Sequence, residues 1–304
     1  MQAKVKLGVK PLVILLWTVI CIAALVWIFP HSTKADVNQG TREIRNWTSH
    51  ITPLMDVQFH PESALGNAGC FVDLSYKDAG LALIKAEGDQ PLRVKITQGD
   101  RSETFFVHAD GTPSVLPLPF GSGDYEIKIL EQKEGQVYTA RYQTEFSVWS
   151  MNDLQAFCNA TDYVPFSQDS EYVKEASRLR EQASSDEELV RLIVKSVMKH
   201  LEYDKSMASV GDRPDLDLVW SSGRAVCRDY AVITAAMLRS QGIPTKVLYG
   251  NVTFPGEEKG YHAWNEYYAG EAGWIRLDVT YMEKGAGLGY NNGFKTLYEA
   301  SKVF

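Results

Sequence analysis

The hydrophobic period changes once along this chain, near residue 150, and that change limits the folds open to it. Before it, short runs alternate apolar and polar residues, as in Tyr125, Ile127 and Ile129 or Tyr138, Ala140 and Tyr142. A period of two belongs to strands whose alternate side chains face a core. Seven such runs (CFVDLSY, GLALIKA, PLRVKIT, SETFFVHA, SVLPLPF, GDYEIKIL and GQVYTARYQTEFSVW) are separated by turn signals such as Lys77-Asp-Ala-Gly80 and Gly121-Ser-Gly-Asp124. They predict a small antiparallel β-sandwich over residues 68–150. Nothing in this segment clusters titratable groups, so a spacer or binding module is its expected role.

After Trp149 the spacing becomes helical. Ser185-Asp-Glu-Glu188 reads as a capping box. Behind it Leu189, Leu192, Ile193, Ser196, Val197 and His200 fall on one face. An earlier helix is expected over residues 171–183, and residues 203–222 read as a polar loop. His200, at a helix end, is assigned no functional role. A further helix over 228–241, stopped by Gly242-Ile-Pro244, precedes three strands. The second half is therefore α+β.

The N-terminus addresses location. Lys4, Lys6 and Lys10 precede an uncharged run from Pro11 to Phe29, which at the helical rise nearly covers the ~30 Å hydrocarbon core of a bilayer. The cation bias keeps the N-terminus inside and sends the rest across. An uncleaved anchor is favoured over a cleaved signal, since Thr33-Lys34-Ala35 is a poor cleavage site. A net charge of −7 argues against nucleic acid as a partner. Outside the apolar run, which holds Cys21, stand Cys70, Cys158 and Cys227. Either Cys70 and Cys158 are bridged, leaving Cys227 free, or all three are reduced. Sequons occur at Asn46, Asn159 and Asn251.

Cys227 opens the helix of residues 228–241 and shares a face with Tyr230, Ala231 and Thr234. Unpaired N–H groups and the dipole at a helix start stabilise a thiolate. Downstream, Tyr261-His-Ala-Trp-Asn-Glu-Tyr-Tyr268 and Trp274-Ile-Arg-Leu-Asp-Val-Thr-Tyr281 read as a β-hairpin. One face carries His262, Trp264, Glu266, Trp274, Arg276, Asp278 and Thr280; the other carries Tyr261, Ala263, Ile275, Leu277 and Val279. A turn centred on Gly270 sets His262 opposite Asp278. A turn centred on Glu271 moves Asp278 one diagonal step on the same face. A thiol, an imidazole to take its proton and a carboxylate to orient the imidazole form a nucleophilic set. A metal site from the same three residues lacks a second Cys or His pair at ligand spacing, and no cofactor motif is present. Trp264, Trp274 and Tyr281 read as hairpin packing, and Glu266–Arg276 as a structural cross-strand pair.

The stretches GRAVCRDYAVITAAMLRSQGIPTKVLYG, YHAWNEYY and GWIRLDVTY together resemble the core of the transglutaminase-like superfamily, cysteine enzymes of papain-related fold. The resemblance covers about residues 150–285. It implies Cys227 as nucleophile, His262 as general base and Asp278 as orienting carboxylate. Ala225 replaces a common Gly and Val279 a common Pro, and neither change removes a reacting group. The backbone N–H of Cys227 is a natural oxyanion donor; Trp220 is the other candidate.

The expected organisation is an anchor or signal at 1–35, a stalk at 36–67, an immunoglobulin-like β-sandwich at 68–150 and a transglutaminase-like catalytic domain at 151–304. The expected activity is cysteine-dependent acyl transfer or hydrolysis of protein or peptide amide bonds through a thioester, on cell-surface or wall peptides outside the membrane. The competing reading is a surface scaffold that has kept the fold and lost turnover. A third is that the β domain recognises what the enzyme trims.

Overall fold

The computed structural model describes residues 51–149, 152–208, 213–253, 259–281 and 297–304. The apolar run of residues 11–29, Cys21 and Asn46 lie outside the described residues. Among the described residues no helix is long and apolar enough to cross a membrane.

The period-two half folds into eight strands: β1 (Leu65–Asn67), β2 (Cys70–Asp73), β3 (Leu81–Ala86), β4 (Leu92–Gln98), β5 (Arg101–Val107), β6 (Ser114–Pro117), β7 (Gly123–Glu134) and β8 (Val137–Val148). They form two antiparallel four-stranded sheets, β1-β2-β3-β6 and β5-β4-β7-β8. Alternation sets which residues go inside. Val94 and Ile96 of β4 and Ile127 and Ile129 of β7 are buried with Val72 and Ile84 of the other sheet in one shared core. Full burial of each such side chain contributes roughly 1.5–3 kcal/mol. Seven of the eight strands coincide with the alternating runs; β1, only three residues long, has no periodic signature.

The second half contains α1 (Glu171–Gln182), α2 (Asp186–His200), β9 (Glu202–Tyr203), α3 (Leu216–Ser222), β10 (Arg224–Ala225), α4 (Cys227–Ser240), β11 (Thr245–Thr253), β12 (Lys259–Tyr268), β13 (Trp274–Leu277), a helical turn at Val279–Tyr281 and β14 (Leu297–Val303). The last four strands form an antiparallel sheet in the order β13-β12-β11-β14. Helix α4 packs on β12 and β11, with α1, α2 and α3 against it. Every residue from Arg228 to Ser240 is buried, as expected of a helix with neighbours on all sides.

Several expectations are corrected. The polar loop of residues 203–222 contains α3, seated by Asp215, whose side chain accepts the Leu218 N–H at 3.0 Å, and closed by Gly223 in the left-handed region. Seven residues are too few for periodicity to register. In α2 the buried stripe is Leu189, Val190, Ile193, Val194 and Val197, while Ser196 is half-buried and His200 exposed. The capping box is half-formed. Ser185 accepts the Glu188 N–H, but the Glu188 carboxylate turns to Ser184. The stalk reading fails from residue 51 onward: Ile51 is buried, and Leu54 donates its N–H to Asn159 Oδ1 at 3.0 Å. The described residues pack as one unit.

Cys70, Cys158 and Cys227 are separate thiols, so no bridge joins Cys70 to Cys158. Burial pushes the Cys158 thiol up to about 12. Asn159 is fully buried, its amide bonded to Ala79, Leu54 and Gln155, and is no glycan acceptor in the folded chain; Asn251 is exposed.

The candidate active site

Cys227 is the first residue of α4, after Val226 in extended conformation. Val226 offers no side-chain acceptor, so the helix start is satisfied from within. Asp229 Oδ2 accepts the Val226 N–H at 3.0 Å. Its other oxygen takes Arg228 Nε at 2.9 Å and Nη2 at 2.8 Å. This buried pair fixes the turn that presents the thiol.

The imidazole comes from β12. His262 lies opposite Gly250 of β11, where a Cβ would meet the Glu299 carbonyl of β14 at 2.0 Å. Only glycine lets β14 approach there. The hairpin register pairs Glu266 with Arg276 and Asn265 with Leu277, the arrangement centred on Glu271. Asp278 follows the end of β13 and enters a helical turn whose Tyr281 N–H bonds Asp278 Oδ1 at 3.1 Å. From there Asp278 Oδ2 meets His262 Nε2 at 2.9 Å.

The three predicted residues are thus brought together. Cys227 is hydrogen-bonded to His262; with Nε2 committed to Asp278, Nδ1 is the ring nitrogen left for the sulfur. His262 and Asp278 are 9% and 7% exposed, while Cys227 keeps partial access to solvent. Burial alone would push the Cys227 thiol up. The His262 hydrogen bond and charge, with the Ala263 and Arg228 N–H groups, outweigh it and hold the thiol below its ordinary value. Burial would likewise lower His262, but hydrogen bonds to Asp278 and Cys227 carry the ring up to about 9. Opposite shifts on adjacent groups favour a thiolate–imidazolium pair.

The flanking residues sort themselves. Trp264 packs edge-on to Tyr298, with ring centroids 4.9 Å apart. Trp274 packs on Phe157 and Tyr268. Glu266 faces Arg276 in register, yet its ion pair is with Lys246 at 3.9 Å; Arg276 instead lies 4.3 Å over the Tyr298 ring. Tyr261, placed on the apolar side by alternation, is 60% exposed. Trp220 stacks on His200 at 3.8 Å, and its carbonyl accepts His200 Nε2–H at 2.7 Å, which makes both residues a brace between α2 and α3.

Two contributors escape sequence reasoning. Asn265 Nδ2 donates to the Ala231 carbonyl of α4 at 2.9 Å and to Lys246 of β11 at 3.1 Å. It pins the cysteine helix, one turn past Cys227, to the histidine strand. Its place inside the His-Ala-Trp-Asn-Glu stretch was a usable signal. Tyr298 of β14 donates to Asp278 Oδ2 at 2.8 Å, and no motif marked it.

A buried central helix that starts at a thiol, laid on an antiparallel sheet that carries a histidine–aspartate pair, defines a transglutaminase-like core. Residues 174–279, which hold Cys227, His262 and Asp278, match the family described as the Transglutaminase-like superfamily. No curated protein sequence matches the chain. Among solved structures, a candidate cysteine protease from Cytophaga hutchinsonii is similar at 14% identity and a TM-score of 0.38, over 74% of this chain and 86% of that one. The periplasmic domain of TgpA from Pseudomonas aeruginosa is similar at 15% identity and a TM-score of 0.35, over 71% and 94%. Red sea bream transglutaminase is similar at 14% identity and a TM-score of 0.31, over 66% of this chain and 48% of its own.

Proposed function

We propose that the protein is a cysteine-dependent enzyme acting on amide bonds of proteins or peptides through a thioester. The supporting observation is the continuous chain from Cys227 through His262 to Asp278, with the sulfur held below its ordinary pKa and the ring above its own. In the first step the Cys227 thiolate attacks the amide carbonyl carbon. As the C–N bond breaks, the His262 imidazolium gives its Nδ1 proton to the departing amine, leaving an acyl-thioester and a neutral ring. In the second step the neutral ring takes a proton from water or a primary amine, which attacks the thioester; the C–S bond breaks and Cys227 leaves as thiolate, restoring the pair with the His262 imidazolium. Asp278 keeps Nε2–H bonded throughout. The backbone N–H of Cys227, without an intrahelical acceptor at the first position of α4, is the donor we assign to the developing oxyanion.

Water as acceptor makes the enzyme a peptidase or amidase, and an amine makes it a transglutaminase. The N-terminal charge pattern supports a catalytic part outside the membrane, acting on cell-surface or wall peptides. The test is incubation of a glutamine-containing peptide with a labelled primary amine, following ammonia, amine incorporation and cleavage together. Wild type is expected to release at least one product, and Cys227→Ala none above background. Product formation equal in both proteins would remove the proposal, while silence in both would favour the scaffold reading.

A further inference from the structure

The hydrogen bonds from His262 do not end at Asp278. Oδ2, the oxygen that receives His262 Nε2–H at 2.9 Å, also receives the Tyr298 hydroxyl at 2.8 Å. We propose that Tyr298 is a positioning residue that sets how strongly Asp278 holds the His262 imidazolium, by donating its phenol to the carboxylate oxygen the ring uses. This rests on the enzymatic reading above and adds to it a residue outside the matched segment of residues 174–279.

The tyrosine is built into place. It pairs with Val252 across β11 and β14, its ring edge meets Trp264, and the Arg276 guanidinium of β13 covers its face. The close passage of β14 over Gly250 brings the ring within reach of Asp278, which lies beyond the end of β13. Asp278 Oδ1 is meanwhile held by the Tyr281 N–H, so both carboxylate oxygens are oriented by this chain.

The direction of the effect follows from charge. A donor to an anion stabilises it and makes it less basic. Two donors on one oxygen share its charge, so each holds it less strongly than it would alone. With the phenol in place, Asp278 orients His262 without locking it as imidazolium. That matters because the ring must give a proton in the first half-reaction and accept one in the second, which favours a pKa near the working pH. The charged and titratable groups facing this cluster are Asp278 and Tyr281 of the helical turn, Arg276 of β13 and Cys227 of α4. Burial and the neighbouring Asp278 both raise the pKa of Tyr298, so the phenol stays protonated as a donor.

The test is NMR titration of the His262 ring in the full chain, wild type against Tyr298→Phe. The phenyl ring keeps the contacts to Trp264 and Arg276 and loses only the hydroxyl. The expected wild-type midpoint is near 9. In Tyr298→Phe it moves up by about half a pH unit, because the freed oxygen binds the imidazolium more tightly. A raised wild-type midpoint that is unchanged or lowered in the variant overturns the role of Tyr298 and leaves the triad standing. A ring that titrates at its ordinary 6.5 in both proteins removes the charged pair and this proposal with it.

Discussion

Asp278 receives three donors, the His262 ring, the Tyr298 hydroxyl and the Tyr281 backbone. Its removal should therefore act on the ring before it acts on the fold. In Asp278→Ala the His262 ring loses the hydrogen bond and charge that raise it, so its titration midpoint falls below 9. Turnover should fall on the order of 10²–10⁴-fold, with KM little changed because the groups that meet Asp278 belong to the protein. Steady-state kinetics beside ring titration checks both, and a variant with full activity would contradict the assignment. At this scale the meeting of Cys227, His262 and Asp278 was legible in the sequence, because each sits in a stretch with its own chemical signature. Tyr298 was not legible. Its role depends on the register of β14 against β11 and on a close approach at Gly250, and neither leaves a local pattern.

Helix α4 must hold its first residue steady while its start lacks a side-chain cap. The buried Arg228–Asp229 pair, with side chains 10% and 1% exposed, fulfils that need together with the Val226 N–H bond. Asp229→Ala would leave a buried guanidinium without its carboxylate and a buried N–H without its acceptor. We expect a loss of about 3–5 kcal/mol in urea unfolding, with reduced Cys227 reactivity even where the protein stays folded. A change below about 1 kcal/mol would mean the helix start is held elsewhere. The long elements were legible from period alone, as the seven alternating runs and α4 illustrate. Short ones were not: α3 and β1 fall below the length at which period can be read. The hairpin register turned on a choice between Gly270 and Glu271 as turn centre. The single 3₁₀ turn at Gly270–Ala272, followed by Gly273 with φ +69°, decided for Glu271.

Across the molecule the two halves are joined by aromatic packing. Phe304 stacks on Tyr163 with centroids 4.3 Å apart and also meets Phe105 of the sandwich and Tyr249 of β11. Arg239, fully buried, donates to the carbonyls of Thr245, Asn159 and Phe304. Phe304→Ala should cost about 3–5 kcal/mol, and because the packing is shared, the loss should appear as one transition reported equally by fluorescence and circular dichroism. A second junction responds to pH. Burial raises Glu103 of β5 from 4.5 to about 7, although the Val303 N–H of β14 and Lys302 oppose the shift. A carboxyl raised by folding contributes stability that is full below 4.5 and is lost as pH rises through about 7. The wild-type urea midpoint should therefore fall from about pH 5 to about pH 8 relative to Glu103→Gln. Parallel curves for the two proteins would show that Glu103 is solvated in solution. These junctions were not legible in advance, since the period-two and helical patterns describe each half separately and are silent about which residues meet between them.

The paired thiol and ring are tested most directly by the pH profile of Cys227 alkylation by iodoacetamide, read by mass spectrometry on the Cys227 peptide. The wild-type rate should already be high well below the ordinary thiol value of 9.0, and His262→Ala should shift the rise back to that value. A single rise near 9.0 in both proteins would contradict the thiolate–imidazolium pair on which the proposed chemistry depends.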